Sequence, residues 1–224
     1  MNRDSKHVPR PELIVRPPRN LASELAPQEV ELVEEAYRRS REMLRSNVCA
    51  FGMLASSEKL GANYNAVWGR DGCICAIGAL QTDDEELHRL AFRTLETLSG
   101  RIADNGQIPS YLLMNDADDA VAQVVYGGLG SVTTIDSNLW FILGVYAAMR
   151  RNPSDQLRDE LLESCHRTLR HLQSIDADYC GLLEIPLAGD WPGILDRASH
   201  ILYDELLWDC ALQCAAEVLD SEGA

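Results

Sequence analysis

All four tryptophans of this 224-residue chain fall in three short segments, and every segment also carries carboxylates. In the first, Trp68 is followed by Arg70 and Asp71. In the second, Asp136 precedes Trp140 by one helical turn. The third runs from Asp190 to Trp208 and holds Trp191, Asp196, Asp204 and Glu205. An aromatic face suits the C–H face of a sugar ring, and ionised side chains form strong hydrogen bonds to hydroxyls. Cleavage of a glycosidic bond needs a protonated carboxyl and a second carboxylate. The chemistry these types allow is therefore binding or hydrolysis of a carbohydrate. Tryptophans also serve as plain core, and residue type alone does not choose between the two roles.

Each segment has a structural reading beside the chemical one. In Asn63-Tyr-Asn-Ala-Val-Trp-Gly-Arg-Asp-Gly72, Asp71 reads as a helix cap, Arg70 as its neighbour, and a capping carboxylate can still face a ligand. In Thr134-Ile-Asp-Ser-Asn-Leu-Trp-Phe141, either Asp136 or Ser137 reads as the cap, with Trp140 one turn inside. In Gly189-Asp-Trp-Pro-Gly, proline and glycine mark a turn. Tyr203-Asp-Glu-Leu-Leu-Trp208 then opens a helix, where Asp204 and Trp208 share a face and Glu205 complements the helix dipole.

The elements that position these segments read as helices. Apolar periodicity and caps predict helices over 28–47, 71–81, 83–101, 136–150, 154–173 and 201–219. The first, third and fifth are amphipathic. The second, fourth and sixth are apolar nearly all round and should be buried. An outer–inner alternation describes concentric layers, and it places the entrances of the inner helices at one end, where the three segments would meet. No strand pattern competes, and 102–135 reads as one long loop with Gly127, Gly128 and Gly130. Residues 1–27 hold five of the nine prolines and five of the 20 basic residues, and read as an extended arm ahead of a domain over 28–224.

Bulk composition removes several classes. Net charge is −15, from 35 acidic and 20 basic residues, with no basic cluster after the arm, which argues against nucleic acid as partner. No apolar run approaches the roughly 20 residues of a membrane span, and the N-terminus shows no secretory signal. Seven cysteines, an odd number without a metal-type CxxC pair, read as buried free thiols of a reducing compartment. A cytoplasmic location is expected, and neither metal nor cofactor is implied.

The segments together resemble the glucosidase domain of glycogen-debranching enzymes, the amylo-α-1,6-glucosidase family, and more widely the (α/α)6 glycosidases. The matching pieces are Tyr64 through Trp68-Gly-Arg-Asp-Gly72, Asn105-Gly-Gln-Ile-Pro109, Ile135-Asp-Ser-Asn-Leu-Trp-Phe141, Gly189-Asp-Trp191 and Leu202-Tyr-Asp-Glu-Leu-Leu-Trp208, in the family's order across about residues 50–215. The resemblance implies an all-α, (α/α)6 toroid-like fold cut to six helices, three outer and three inner, as in an N-terminal half. It implies that Arg70 and Asp71 grip sugar hydroxyls, with Tyr64, Trp68, Asp136, Trp140, Trp191, Glu205 and Trp208 around the ligand. It puts the general acid in 184–190. Leu183-Glu-Ile-Pro186 stands where the debranching pattern has Trp-Met-Asp, which leaves Asp190 or Glu184 as the acid, Asp190 being favoured.

The expected function is that of an inverting α-glucosidase-type glycoside hydrolase, or half of one, acting on or binding α-glucosides. The alternative is a catalytically inactive sugar-binding or regulatory module, or a truncated product without function. A half toroid would also expose apolar flanks and favour self-association.

Overall fold

The computed structural model describes residues 25–56, 65–115, 120–127, 134–192 and 195–220. The proline-rich stretch 1–24, Tyr64 and the glycines Gly128, Gly130 and Gly193 lie outside the described residues. The elements in chain order are α1 (Pro27–Ser46), β1 (Val48–Cys49), β2 (Gly52–Met53), β3 (Ala66–Trp68), α2 (Gly69–Leu80), α3 (Glu85–Ser99), β4 (Tyr111–Met114), β5 (Val121–Val125), α4 (Asp136–Met149), α5 (Asp155–Gln173) and α6 (Leu202–Asp220).

The chain divides into two units, Met1–Ser40 and Arg41–Ala224, with the boundary inside α1. In the first unit, Glu35 bonds both Arg38 and Arg39 one turn later, the i to i+3 and i+4 pairing that supports an exposed helix.

An all-α fold, and with it the (α/α)6 toroid reading, is not what the second unit shows. It contains two small antiparallel sheets, β1–β2 and β3–β4–β5, beside the helices. The region 102–135, expected as loop, supplies two of the five strands. β3 runs directly into α2, so the first tryptophan segment is half strand. Its pairing sets Trp68 opposite Tyr111 and Ala66 opposite Leu113.

Helix α4 is the centre of the helical packing, lying against α2 on one side and α6 on the other, while α3 packs on α2 and α5 on α4. Its composition explains the position. Ten of its 14 residues are buried and none is basic, so it has no face suited to water. Helices α2 and α6 were expected to be as buried and are not. Ile74 on α2 and Leu202, Leu206 and Leu212 on α6 are exposed, which leaves each helix one apolar face toward solvent.

Helix α3 begins at Asp84, whose carboxylate accepts the N–H groups of Glu86 and Leu87 at 3.1 and 3.3 Å, two of the four donors a helix start leaves open. Arg41, at 2.6 Å, and Arg45 pair with its other oxygen. These cations hold the Asp84 carboxyl below the usual carboxylate range. Ser154 caps α5 by accepting the Leu157 N–H. The caps expected on α2 and α4 are absent. Trp68 and Ile135 occupy those positions, and neither makes a side-chain cap bond. Asp71 is therefore free of capping duty, whereas the Asp136 carboxylate accepts a backbone bond from Ser137 in the first turn of α4.

Candidate functional site

The starts of α2, α4 and α6 meet at one end of the helical layer, and local sequence determines how closely. Gly69 opens α2 with its N–H donated to the Ser110 carbonyl at 2.8 Å. A methyl group there would lie 2.4 Å from the Pro109 carbonyl oxygen and 3.0 Å from Ser137. Only glycine lets α2 start this close to the Pro109 carbonyl. The α4 start is fixed in turn by the 189–192 turn, whose Gly189 carbonyl accepts the Ile135 N–H at 2.9 Å. The α4 and α6 starts are joined by Trp140, whose indole N–H donates to the Tyr203 hydroxyl at 2.9 Å.

Arg70 sits where these pieces converge. Its guanidinium donates to Asp136 at 3.0 Å and to the Trp191 carbonyl at 3.1 Å, and it pairs with Asp71 at 3.2 Å. One side chain thus touches all three tryptophan segments. Asp136 has no accessible surface, whereas Asp71 is about half exposed beside it. Burial pushes the Asp136 carboxyl up, and Arg70 offsets only part of that. Trp68 stacks on Tyr111 with ring centroids 4.6 Å apart, and Trp191 presents a largely exposed ring.

Behind this accessible layer lie further carboxyls. Asp190 and Asp204 are fully buried, like Asp136. Arg197 pairs with Asp190. Oδ1 of Asp136, Oδ1 of Asp190 and both oxygens of Asp204 receive no hydrogen bond. Such orphaned acceptors are uncommon in a folded core, and each calls for a cause.

Among the residues read from sequence, the structure joins Arg70, Asp71, Asp136 and the Trp191 backbone directly, while Trp68 stacks on Tyr111, Trp140 bonds Tyr203 and Asp190 pairs with Arg197. Others stand apart. Glu184 is exposed, while its backbone N–H donates to the Ile175 carbonyl. Glu205 accepts the Leu183 N–H at 2.9 Å and lies 3.7 Å from His200. Trp208 is core, its indole N–H reaching the Gly181 carbonyl. Tyr64 lies outside the described residues. Sequence reasoning left Arg197 and Tyr203 without a role, and it named Asp204 only as one carboxylate among several. The four-residue spacing of Asp204 and Trp208 was the available signal that Asp204 faces inward with the tryptophan.

Among the described residues, one group of potential metal ligands comes within 4.8 Å, namely Asp176, Asp178 and Cys180. It belongs to the exposed turn after α5 and not to the site around Arg70. No described helix is long and apolar enough to cross a membrane. Comparison with models of protein families, with curated proteins and with solved structures finds no match to this chain.

Proposed function

We propose that the chain binds α-glucosides at the partly exposed layer of Trp68, Arg70, Asp71, Trp140 and Trp191, in a site of glycoside hydrolase character like that of the amylo-α-1,6-glucosidases. The observation that carries this reading is the three-way hold of Arg70 on Asp136, Asp71 and the Trp191 carbonyl. A guanidinium fixed by two carboxylates cannot swing away, and Asp71 keeps oxygen toward solvent beside it. The pair offers donors and acceptors to neighbouring hydroxyls, and the indole of Trp191 offers an apolar face to the ring. A neutral ligand fits a chain of net charge −15 better than an anion does.

Of the two acids named for catalysis, Asp190 is the one near this layer. A binding-only role is favoured by one observation: Asp190 is buried and held by Arg197, so it is not free to protonate a leaving group. Cys73, Cys165 and Cys214 are buried thiols, which suits a reducing, cytoplasmic setting.

Calorimetric titration of maltose and isomaltose into the parent chain and Asp71→Asn tests the reading. Asp71 makes no cap bond, so the variant should keep its melting temperature. A hydrogen bond to a charged group contributes about 1.5–3 kcal/mol, so affinity should fall at least roughly tenfold. Equal affinity in the two proteins, or no binding by the parent, would defeat the proposal.

A further inference from the structure

Asp204 is the buried group that neither packing nor the proposed ligand contacts explain. It lies in the first turn of α6 with no accessible surface, and neither carboxyl oxygen receives a hydrogen bond. The two cations of the region are committed elsewhere, Arg70 to Asp136 and Asp71, and Arg197 to Asp190. An ionised carboxylate here would give up its hydration with no donor in exchange, a cost that ordinarily drives such a group to take up a proton. A neutral carboxyl avoids most of that cost, and Asp136 and Asp190 each carry an oxygen that likewise receives no hydrogen bond.

We propose that Asp204 is a positioning residue that holds a proton at neutral pH, and that this proton lets the starts of α4 and α6 and the 189–192 turn pack together around Arg70. Three fully buried carboxyls at one junction, with two arginines to serve them, are one charge too many. Protonating Asp204 removes that charge without moving any backbone. Ionising it sets three anions against one another at the junction, and the first parts to yield are the contacts that cross it, Arg70 to Trp191 and Trp140 to Tyr203.

The charged groups that bear on Asp204 come from every side and mostly agree. Burial acts first, followed by Asp136 from α4, Asp190 from the turn and Glu205 from α6 itself. Arg197 opposes them. Together they push the Asp204 carboxyl up to about 8.

The inference rests on the sugar-binding reading only for what the positioned groups hold. Its test therefore has one arm with a ligand and one without. Isomaltose affinity of the parent is expected to fall at least about fivefold between about pH 6 and pH 9, while Asp204→Asn, which mimics the neutral acid, keeps one affinity throughout. Infrared spectra of the ligand-free parent should show a neutral carboxyl band at about pH 6 that fades through about pH 8 and is missing in Asp204→Asn. Tryptophan emission of the parent should shift across the same range, and that of the variant should not. Identical pH profiles for parent and variant, or no neutral carboxyl band in the folded parent at the lower pH, overturn the inference even if isomaltose binds. A parent that binds no isomaltose at either pH defeats the sugar reading, and the infrared and fluorescence arms then decide Asp204 alone. Those two measurements on the parent also stand should Asp204→Asn fail to fold.

Discussion

Trp140 and Tyr203 are joined across 2.9 Å by an indole N–H donated to a phenol oxygen, each residue within the first turns of its helix. The bond is the direct link between the α4 and α6 starts. Tyr203→Phe removes the acceptor and leaves a half-buried donor behind. Denaturant unfolding should report a loss of about 1–3 kcal/mol, the cost of stranding one buried polar group. An unchanged midpoint would mean that water replaces the hydroxyl without penalty.

Gly69 should tolerate no side chain. The added methyl of Gly69→Ala meets a backbone oxygen at 2.4 Å, which cannot rotate aside as a flexible side chain would. Overpacking of this kind costs about 1–3 kcal/mol. Because the same methyl also presses on Ser137 at the start of α4, at 3.0 Å, the Arg70–Asp136 contact should loosen too. Sugar affinity is expected to drop more than in a control such as Gly78→Ala, where a methyl group meets nothing within 4 Å.

Stability should decline as pH rises from the acidic side of neutral. The folded-state pKa of Asp204, about 8, lies above its unfolded value near 4, so the folded chain binds the extra proton across that interval. Its contribution is fully present below the unfolded value and is lost as pH climbs through about 8. Burial likewise pushes Asp136 and Glu205 up, with the same sign. His171 acts in the opposite direction, since burial lowers its pKa and favours folding at higher pH. The decisive comparison is therefore the difference between parent and Asp204→Asn. Melting temperatures from about pH 5 to pH 8.5 should fall more steeply for the parent, and parallel curves would place the proton elsewhere.

Turnover of maltose, isomaltose or sucrose by the chain is expected to be slight. General acid assistance supplies about 10²–10⁴-fold, and it requires a carboxyl able to release its proton to the leaving oxygen. Arg197 occupies Asp190 instead. Robust hydrolysis that is abolished by Asp190→Asn would show that Asp190 works as the acid in spite of its partner.

The helices were legible because burial imposes a period. The run from Asp136 to Met149 is apolar all round, and it became the buried centre. Leu87, Ala91, Leu95 and Leu98 repeat along α3 and are fully buried there. The sheets were not legible, because their strands are two to five residues long, too short for an alternation to stand out from a loop. Tyr111–Met114 alternates half-buried and buried over only four residues. At the site, convergence could be read from the entrances of the helices, but pairing could not. Asp204 and Glu205 are neighbours of like type, and only the rotation of α6 decides that Asp204 is sealed inside while Glu205 accepts the Leu183 N–H. Arg197 is seven residues from Asp190 across a turn, a separation that carries no periodic signal.

The bonds of Arg70 span 66 residues to Asp136 and 121 to Trp191. Contacts between such distant parts of a chain come late, because the entropy of closing long loops must be met before they return anything. Helices α2 to α5 can form and pair through nearer neighbours while the 189–192 turn is still unplaced. The junction around Arg70 should then be among the last parts to assemble. It should also be among the first to open, so that slowed hydrogen exchange at the amides of Ile135 and Gly69 would mark a completed chain rather than a collapsed one.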